Sequence, residues 1–260
     1  MASELRTERR GSTLLLTISD PPTRNALSEQ VYTAGVEALN VAEADAALRC
    51  VVLQGDGGHF TSGGDLRRLA SRRAEGAEGV QRGVDRMHAL VEALRAFPKP
   101  VIAAVEGAAA GAGFSLALAC DLIVAAEDAR FTMAYGRIGL TPDGGGLWQL
   151  MQALPRQRVT RCVWFAEPLT ARELQAAGVV GWVTDNGGAL AQAFALADRL
   201  AQTTAPNAVA GAKELIELAP RRAFGEHLTA ERRYFVDNLL HSNANEGLAA
   251  FLEKRSPRFE

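Results

Sequence analysis

The stretch Val101–Ala126, VIAAVEGAAAGAGFSLALACDLIVAA, constrains this chain more than any other. Glu106 and Asp121 are its only charged residues, and Gly107, Gly111 and Gly113 interrupt it. An apolar run, a glycine-rich turn, a short apolar helix and a second apolar run read as a buried strand, turn, helix and strand. A turn of this kind leaves backbone N–H groups free, so the stretch is a candidate active-site scaffold. It is also long enough to raise a membrane span. Glu106 and Asp121 would each cost about 2.5–3.5 kcal/mol at a bilayer centre, and with the glycines they argue against one.

The flanking sequence supplies the rest of an α/β pattern. Thr13–Ile18 and Cys50–Gln54 read as strands, and Ser28 as the N-cap of a helix running to about Ala42, with Val31, Ala34, Ala38 and Leu39 on one face. Residues 67–83, rich in Arg, Glu and Gly with weak periodicity, read as a mobile loop, followed by a helix from about Val84 to Phe97 that stops at Pro98 and Pro100. Val101–Val105, Leu122–Ala126 and Gly181–Val183 read as strands. Helices are expected from near Gly144 and over about Ala171–Ala177. From Gly188 the pattern is helical, with breaks near Ala205-Pro206, Ala219-Pro220 and Asn243. This predicts an α/β core over residues 1–187 with largely parallel strands, and a helical region over 188–260.

A net charge of −2 argues against a nucleic-acid partner. The cluster Arg67, Arg68, Arg72 and Arg73 reads as a solvated face. Cys50, Cys120 and Cys162 are far apart in apolar surroundings without a CxxC pair, which points to free thiols in a reducing cytoplasm and away from structural zinc. The polar N-terminus MASELRTERRGST has no apolar core of a secretory signal.

Three chemistries compete for the glycine turn. Gly111-Ala112-Gly113 follows a strand and opens a helix, but Leu116 stands where a dinucleotide fingerprint needs a third glycine. Gly113-Phe114-Ser115-Leu116-Ala117 approximates a nucleophile elbow without its last glycine, and Ser115 would need a base, for which His59 is the candidate. The third reading needs no nucleophile. The N–H of Ala112, at a helix N-terminus, and a second donor from the Ser62-Gly63-Gly64-Asp65 turn would form an oxyanion hole.

Longer blocks favour the third reading. Arg24-Asn25-Ala26-Leu27-Ser28, His59-Phe60-Thr61-Ser62-Gly63-Gly64-Asp65-Leu66 and Lys99–Gly107 appear in order, followed by Gly111–Gly113, Cys120-Asp121-Leu122, Phe131, Gly139–Gly145 and Phe251-Leu252-Glu253-Lys254-Arg255. The chain resembles the crotonase (enoyl-CoA hydratase/isomerase) superfamily along essentially its whole length. The resemblance implies a ββα spiral core, a C-terminal helical region that builds trimers or dimers of trimers, and an acyl-CoA thioester substrate, with no separate cofactor. It implies peptide N–H donors at Ser62 and Ala112 for a thioester enolate. It also implies a coenzyme A site along Arg24, Ala26 and Leu27 with Asp65 and Leu66, and contacts from Phe251 and Lys254 at the nucleotide end.

The departures narrow the chemistry. Hydratases of this superfamily carry two glutamates, which would fall at Ser115 and Tyr135. Neither residue replaces a carboxylate as a base near neutral pH without strong activation. Asp143, in Gly139-Leu140-Thr141-Pro142-Asp143, stands where isomerase branches place their acid, and the local sequence is most similar to the epoxyphenylacetyl-CoA isomerase branch. The expectation is therefore an isomerase using Asp143, with Tyr135 orienting substrate or donating a hydrogen bond, and residues 67–83 and Trp148 shaping the acyl pocket. The alternatives are a hydratase with an atypical acid–base set, a thioester hydrolase using Asp143 or Ser115, and a silent acyl-CoA binder.

Overall fold

Alternating apolar residues assemble a six-stranded sheet in the computed structural model, which describes residues 3–260. The chain order is β1 (Glu4–Arg10), β2 (Thr13–Ser19), α1 (Glu29–Ala44), β3 (Cys50–Gly55), α2 (Leu66–Arg72), α3 (Gly76–Ala96), β4 (Val101–Val105), β5 (Ala108–Ala110), α4 (Ala112–Leu118), β6 (Leu122–Ala126) and β7 (Arg130–Thr132). Then follow α5 (Gly146–Ala153), α6 (Arg156–Trp164), β8 (Leu169–Thr170), α7 (Ala171–Ala176), β9 (Trp182–Thr184), α8 (Ala189–Thr203), α9 (Pro206–Leu218), α10 (Phe224–Leu239) and α11 (Ser242–Glu253). The main sheet runs β1-β2-β3-β4-β6-β9, parallel except for the β1/β2 pair. A small sheet, β5-β7-β8, stands beside it.

Both faces of the main sheet are covered, as parallel strands require. Val51 and Leu53 of β3 face one side, with Val31 and Leu39 of α1 and Leu90 and Leu94 of α3. Cys50 and Val52 face the other, with Ala189, Ala193, Leu196 and Ala197 of α8. The period-two alternation of a strand divides one run between two cores. Since α8 packs on the sheet, the helices that stand apart from it begin at α9, not at the expected 187/188 boundary. Strand β1 was not expected at all. Its sequence, ELRTERR, is almost entirely polar and forms a charged edge, a composition that discourages pairing with another sheet.

Residues 67–83 are not a mobile loop. They form α2, a 3-10 turn over Arg73–Glu75 and the first two turns of α3. The buried stripe of α3 is Gly79, Gly83, Met87, Leu90, Val91 and Leu94. Its first two members are glycines, so the helical period has no apolar signature there. The segment is held by charge instead. Arg72 reaches across Gly83 to Glu29 of α1, and Glu29 also pairs with Arg86 of α3.

Ser28 caps α1, its Oγ accepting from Val31 N–H at 3.4 Å. The expected breaks at Ala205-Pro206 and Ala219-Pro220 separate α8 from α9 and α9 from a short 3-10 turn. The third falls at Leu240-His241 rather than Asn243, because the His241 ring caps α11 by accepting from the Asn243 N–H at 3.1 Å. No helix among the described residues is long and apolar enough to cross a membrane.

Candidate active site

Two segments remote in sequence meet at the end of β4. Thr61 is fully buried; its N–H donates to Ala108 O at 2.9 Å and its carbonyl accepts from Ala110 N–H at 3.0 Å. Its Oγ1 accepts from Gly63 N–H at 3.0 Å. The chain turns at Gly63, where φ is +93° and a Cβ would stand 2.5 Å from Ala110 O and 3.5 Å from Ala112 N. Only glycine fits both the conformation and the approach.

The Arg24–Leu27 segment holds the outer side of this turn. Leu27 N–H donates to Gly63 O at 2.7 Å, and Asp65 N–H to Leu27 O at 3.2 Å. Asn25, fully buried with φ +61°, fastens it: Nδ2 donates to Asp56 O and His59 O, both at 2.7 Å, and Oδ1 accepts from Asp20 N–H at 2.9 Å. Arg24, Ala26, Leu27, Asp65 and Leu66 are therefore neighbours. The Asp65 carboxylate is committed to capping α2, accepting from Arg67 N–H at 2.9 Å and from Arg68 N–H. Phe251 and Lys254 lie elsewhere: both are exposed at the end of α11, and no hydrogen bond or ion pair among the described residues joins them to these segments.

The expected Ser62 donor needs correction. Its N–H is already donated to Arg24 O at 2.8 Å. Gly64 N–H, two residues on, has no acceptor among the described residues, and neither does Ala112 N–H at the first turn of α4. The free pair is Gly64 and Ala112. Gly64 was missed because a sequence does not show which N–H of a turn its neighbours consume.

The acid–base side is built around Asp143. Tyr135 OH donates to Asp143 Oδ1 at 2.6 Å, and Ser115 Oγ donates to the Asp143 carbonyl at 2.8 Å. Burial, and then the neighbouring Asp143, push the Tyr135 phenol well above its ordinary range, so it stays a neutral donor. Asp143 Oδ2 has no partner among the described residues. Tyr135 also bounds the turn, since a Cβ at Gly111 would lie 3.8 Å from its ring. Asp143, Tyr135, Ser115 and Ala112 thus form one constellation.

The Ser115–His59 pair does not form. His59 Nδ1 accepts from Ala108 N–H at 3.2 Å, while Ser115 Oγ is occupied by the Asp143 carbonyl. The Trp148 ring of α5 lies under both the Arg95 and Arg221 guanidiniums, at 5.2 and 5.8 Å from the ring centroid. Arg95 is itself tied to Glu217 of α9. The ring therefore ties α5 to α3 and to the turn after α9.

A family model described as enoyl-CoA hydratase/isomerase matches residues 8–260. The chain belongs to the enoyl-CoA hydratase/isomerase family. It is 34% identical over 258 residues to 2,3-dehydroadipyl-CoA hydratase of Escherichia coli, covering 99% of each chain. It is 35% identical to 1,2-epoxyphenylacetyl-CoA isomerase of the same organism, over 95% of this chain and 94% of that one. A crystal structure of an enoyl-CoA hydratase from Polaromonas sp. JS666 superposes with a TM-score of 0.96 at 47% identity, covering 99% of this chain and 100% of that one. The fold is the expected crotonase-like α/β core with C-terminal helices, and the chain is an enoyl-CoA hydratase/isomerase family enzyme of CoA thioesters.

Proposed function

We propose that this family member is an isomerase that shifts a double bond, or opens a ring epoxide, in an acyl-CoA thioester. One observation carries the reading: both positions where a hydratase glutamate would stand, Ser115 and Tyr135, donate hydrogen bonds to Asp143. The only carboxylate of the constellation is thus oriented by the residues that replace the other two. In a 3-enoyl thioester, Asp143 Oδ2 takes a proton from C2 and the electron pair moves onto the thioester oxygen. Gly64 and Ala112 N–H groups hold that oxygen as the dienolate forms, a contribution of about 2.7–4 kcal/mol per donor by analogy with other oxyanion holes. Asp143 then returns the proton at C4. The route uses the chain's own groups and asks for no cofactor. The coenzyme A moiety lies along Arg24–Leu27 and Asp65-Leu66, and Phe251 and Lys254 reach its nucleotide end from a neighbouring protomer of the assembly proposed below.

A second reading is hydration, favoured by the hydratase names of several relatives. There Asp143 would activate water beside Tyr135. The two are separated by assaying Asp143→Asn in parallel for 3-enoyl-CoA isomerisation and crotonyl-CoA hydration. The expected result is a loss of isomerisation of about 10²–10⁴-fold; undiminished turnover overturns the assignment, and a wild-type enzyme that only hydrates supports the second reading.

We also propose assembly as a trimer or dimer of trimers through the C-terminal helices. The support is their exposed apolar side chains, Phe224, Phe235, Leu240, Phe251 and Leu252 among them. Mass measurement in solution tests it, and a monomer at micromolar concentration overturns it.

A further inference from the structure

The peptide that follows Asp143 is gripped from both ends. Its carbonyl accepts from Ser115 Oγ of α4 at 2.8 Å. Its N–H, that of Gly144, donates to His88 Nε2 of α3 at 3.3 Å. Gly144 has φ +62°, and a Cβ there would stand 2.6 Å from Met87 Cε and 3.0 Å from Ser115 Cβ. Glycine thus lets α3 and α4 close on this one peptide from opposite sides. Asp143 is attached directly to it, so the plane of the peptide sets where the carboxylate points.

We propose that His88 is a positioning residue for Asp143, acting through the Gly144 peptide and only while its Nε2 is unprotonated. The proposal rests on the reading of Asp143 as the acid–base group. An unprotonated Nε2 accepts the Gly144 N–H; an imidazolium carries a hydrogen on both nitrogens and cannot. Proton uptake by His88 therefore releases one of the two grips and leaves Ser115 alone.

Charged and titratable groups come to α3 from several elements, among them Arg67, Arg68 and Arg72 of α2 and Arg73 and Glu75 of the turn after it. Asp143 lies next to the gripped peptide, its Oδ1 engaged by Tyr135. Asp85 and Glu92 lie one turn to either side on α3. From α1, packed on α3, come Tyr32, whose buried phenol is pushed up by burial and then by Asp143, and Glu29, already paired with Arg72 and Arg86.

The test compares His88→Gln and His88→Leu with wild type. Gln Oε1 lies about as far from Cβ as the imidazole Nε2 and accepts at every pH; Leu never accepts. The expected result for Leu is a fall in kcat of about 10- to 100-fold with KM little changed. For Gln the expectation is kcat within a few-fold of wild type, because its Oε1 restores the acceptor for the Gly144 N–H. Equal kcat and equal pH profiles for wild type and the Leu variant would overturn the proposal, as would a Gln variant as impaired as Leu. Thermal unfolding of both variants separates this from misfolding.

A readout independent of turnover keeps the two readings apart. In amide spectra of ¹⁵N-labelled protein, the Gly144 N–H should exchange with solvent more slowly in wild type, Asp143→Asn and His88→Gln than in His88→Leu. If that difference holds while Asp143→Asn remains fully active, the grip stands and the reading of Asp143 fails. If His88→Leu leaves Gly144 exchange unchanged, the grip fails whatever Asp143 does.

Discussion

The segments Val101–Ala126 and Leu66–Gly83 are near neighbours in sequence and are held by opposite means. The first is apolar and almost wholly buried, two strands of the main sheet with β5 and a short helix between them. The second is largely exposed and rich in arginine, and it stays in place through Glu29, a single carboxylate on another helix that serves both Arg72 and Arg86. Burial of apolar area is distributed over many contacts, whereas a shared ion pair concentrates the restraint in one side chain. The first segment should therefore fail where its backbones touch, and the second where its charge is removed.

The largest effect is expected at the touching backbones. Gly63→Ala places a Cβ against Ala110 O at a backbone conformation that favours glycine, and should lower kcat by at least about 10²-fold by displacing the Gly64 donor. Single-turnover kinetics checks it; activity near wild type would show that the turn can relax without losing the hole.

Next in size is Glu29→Gln. Glu29 and Arg72 are each mostly buried, so the loss should be about 1–3 kcal/mol in denaturant unfolding. Limited proteolysis should cut first between residues 66 and 83, with kcat less affected than in Gly63→Ala. Resistance equal to wild type would mean that packing, not charge, holds the segment.

Thiol reactivity gives a smaller contrast. Cys50 and Cys120 are buried, and burial pushes the Cys50 thiol up to about 12 and the Cys120 thiol higher still. Cys162, also buried, is raised in the same direction. All three should be unreactive toward a disulfide reagent at pH 8 in the native protein and should react together in denaturant. Fast reaction of Cys120 would show that the Val101–Ala126 segment opens locally.

The smallest effect lies at the C-terminus, a second place held by charge. Arg255 holds the Glu246 carboxyl down at about 2, below its ordinary value. A depressed acid stabilises the fold above its unfolded pKa and loses that contribution as pH falls through the folded one. Trimming of the last residues by carboxypeptidase should thus be slow at neutral pH and faster in Glu246→Gln; identical rates would remove the pair from the account.

The same contrast explains how much the sequence disclosed. Strands β4 and β6 and helix α4 could be read because burial leaves a local signature, a run of apolar residues broken by glycine; β5, three residues within the expected turn, could not. The resemblance carried Asp143 and Ala112 as well. Strand β1 and the start of α3 left no such signature: one is a polar edge, and the buried stripe of the other opens with Gly79 and Gly83. Gly64 was hidden for a different reason. Choosing it over Ser62 requires knowing that Arg24 O takes the Ser62 N–H, a partner far off in the sequence. His88 was likewise out of reach, since a histidine on an exposed helix face reads the same whether or not a peptide from another element meets it.

Thr61 has a consequence for the timing of order. One buried residue bonds to both sides of the hole, to Ala108 and Ala110 through its backbone and to Gly63 through its hydroxyl. The spacing between the Gly64 and Ala112 amides is thus fixed when the chain folds, and an arriving thioester meets donors whose conformational entropy is already gone. Binding free energy then need not organise the site, and more of it can appear as a difference between ground state and enolate.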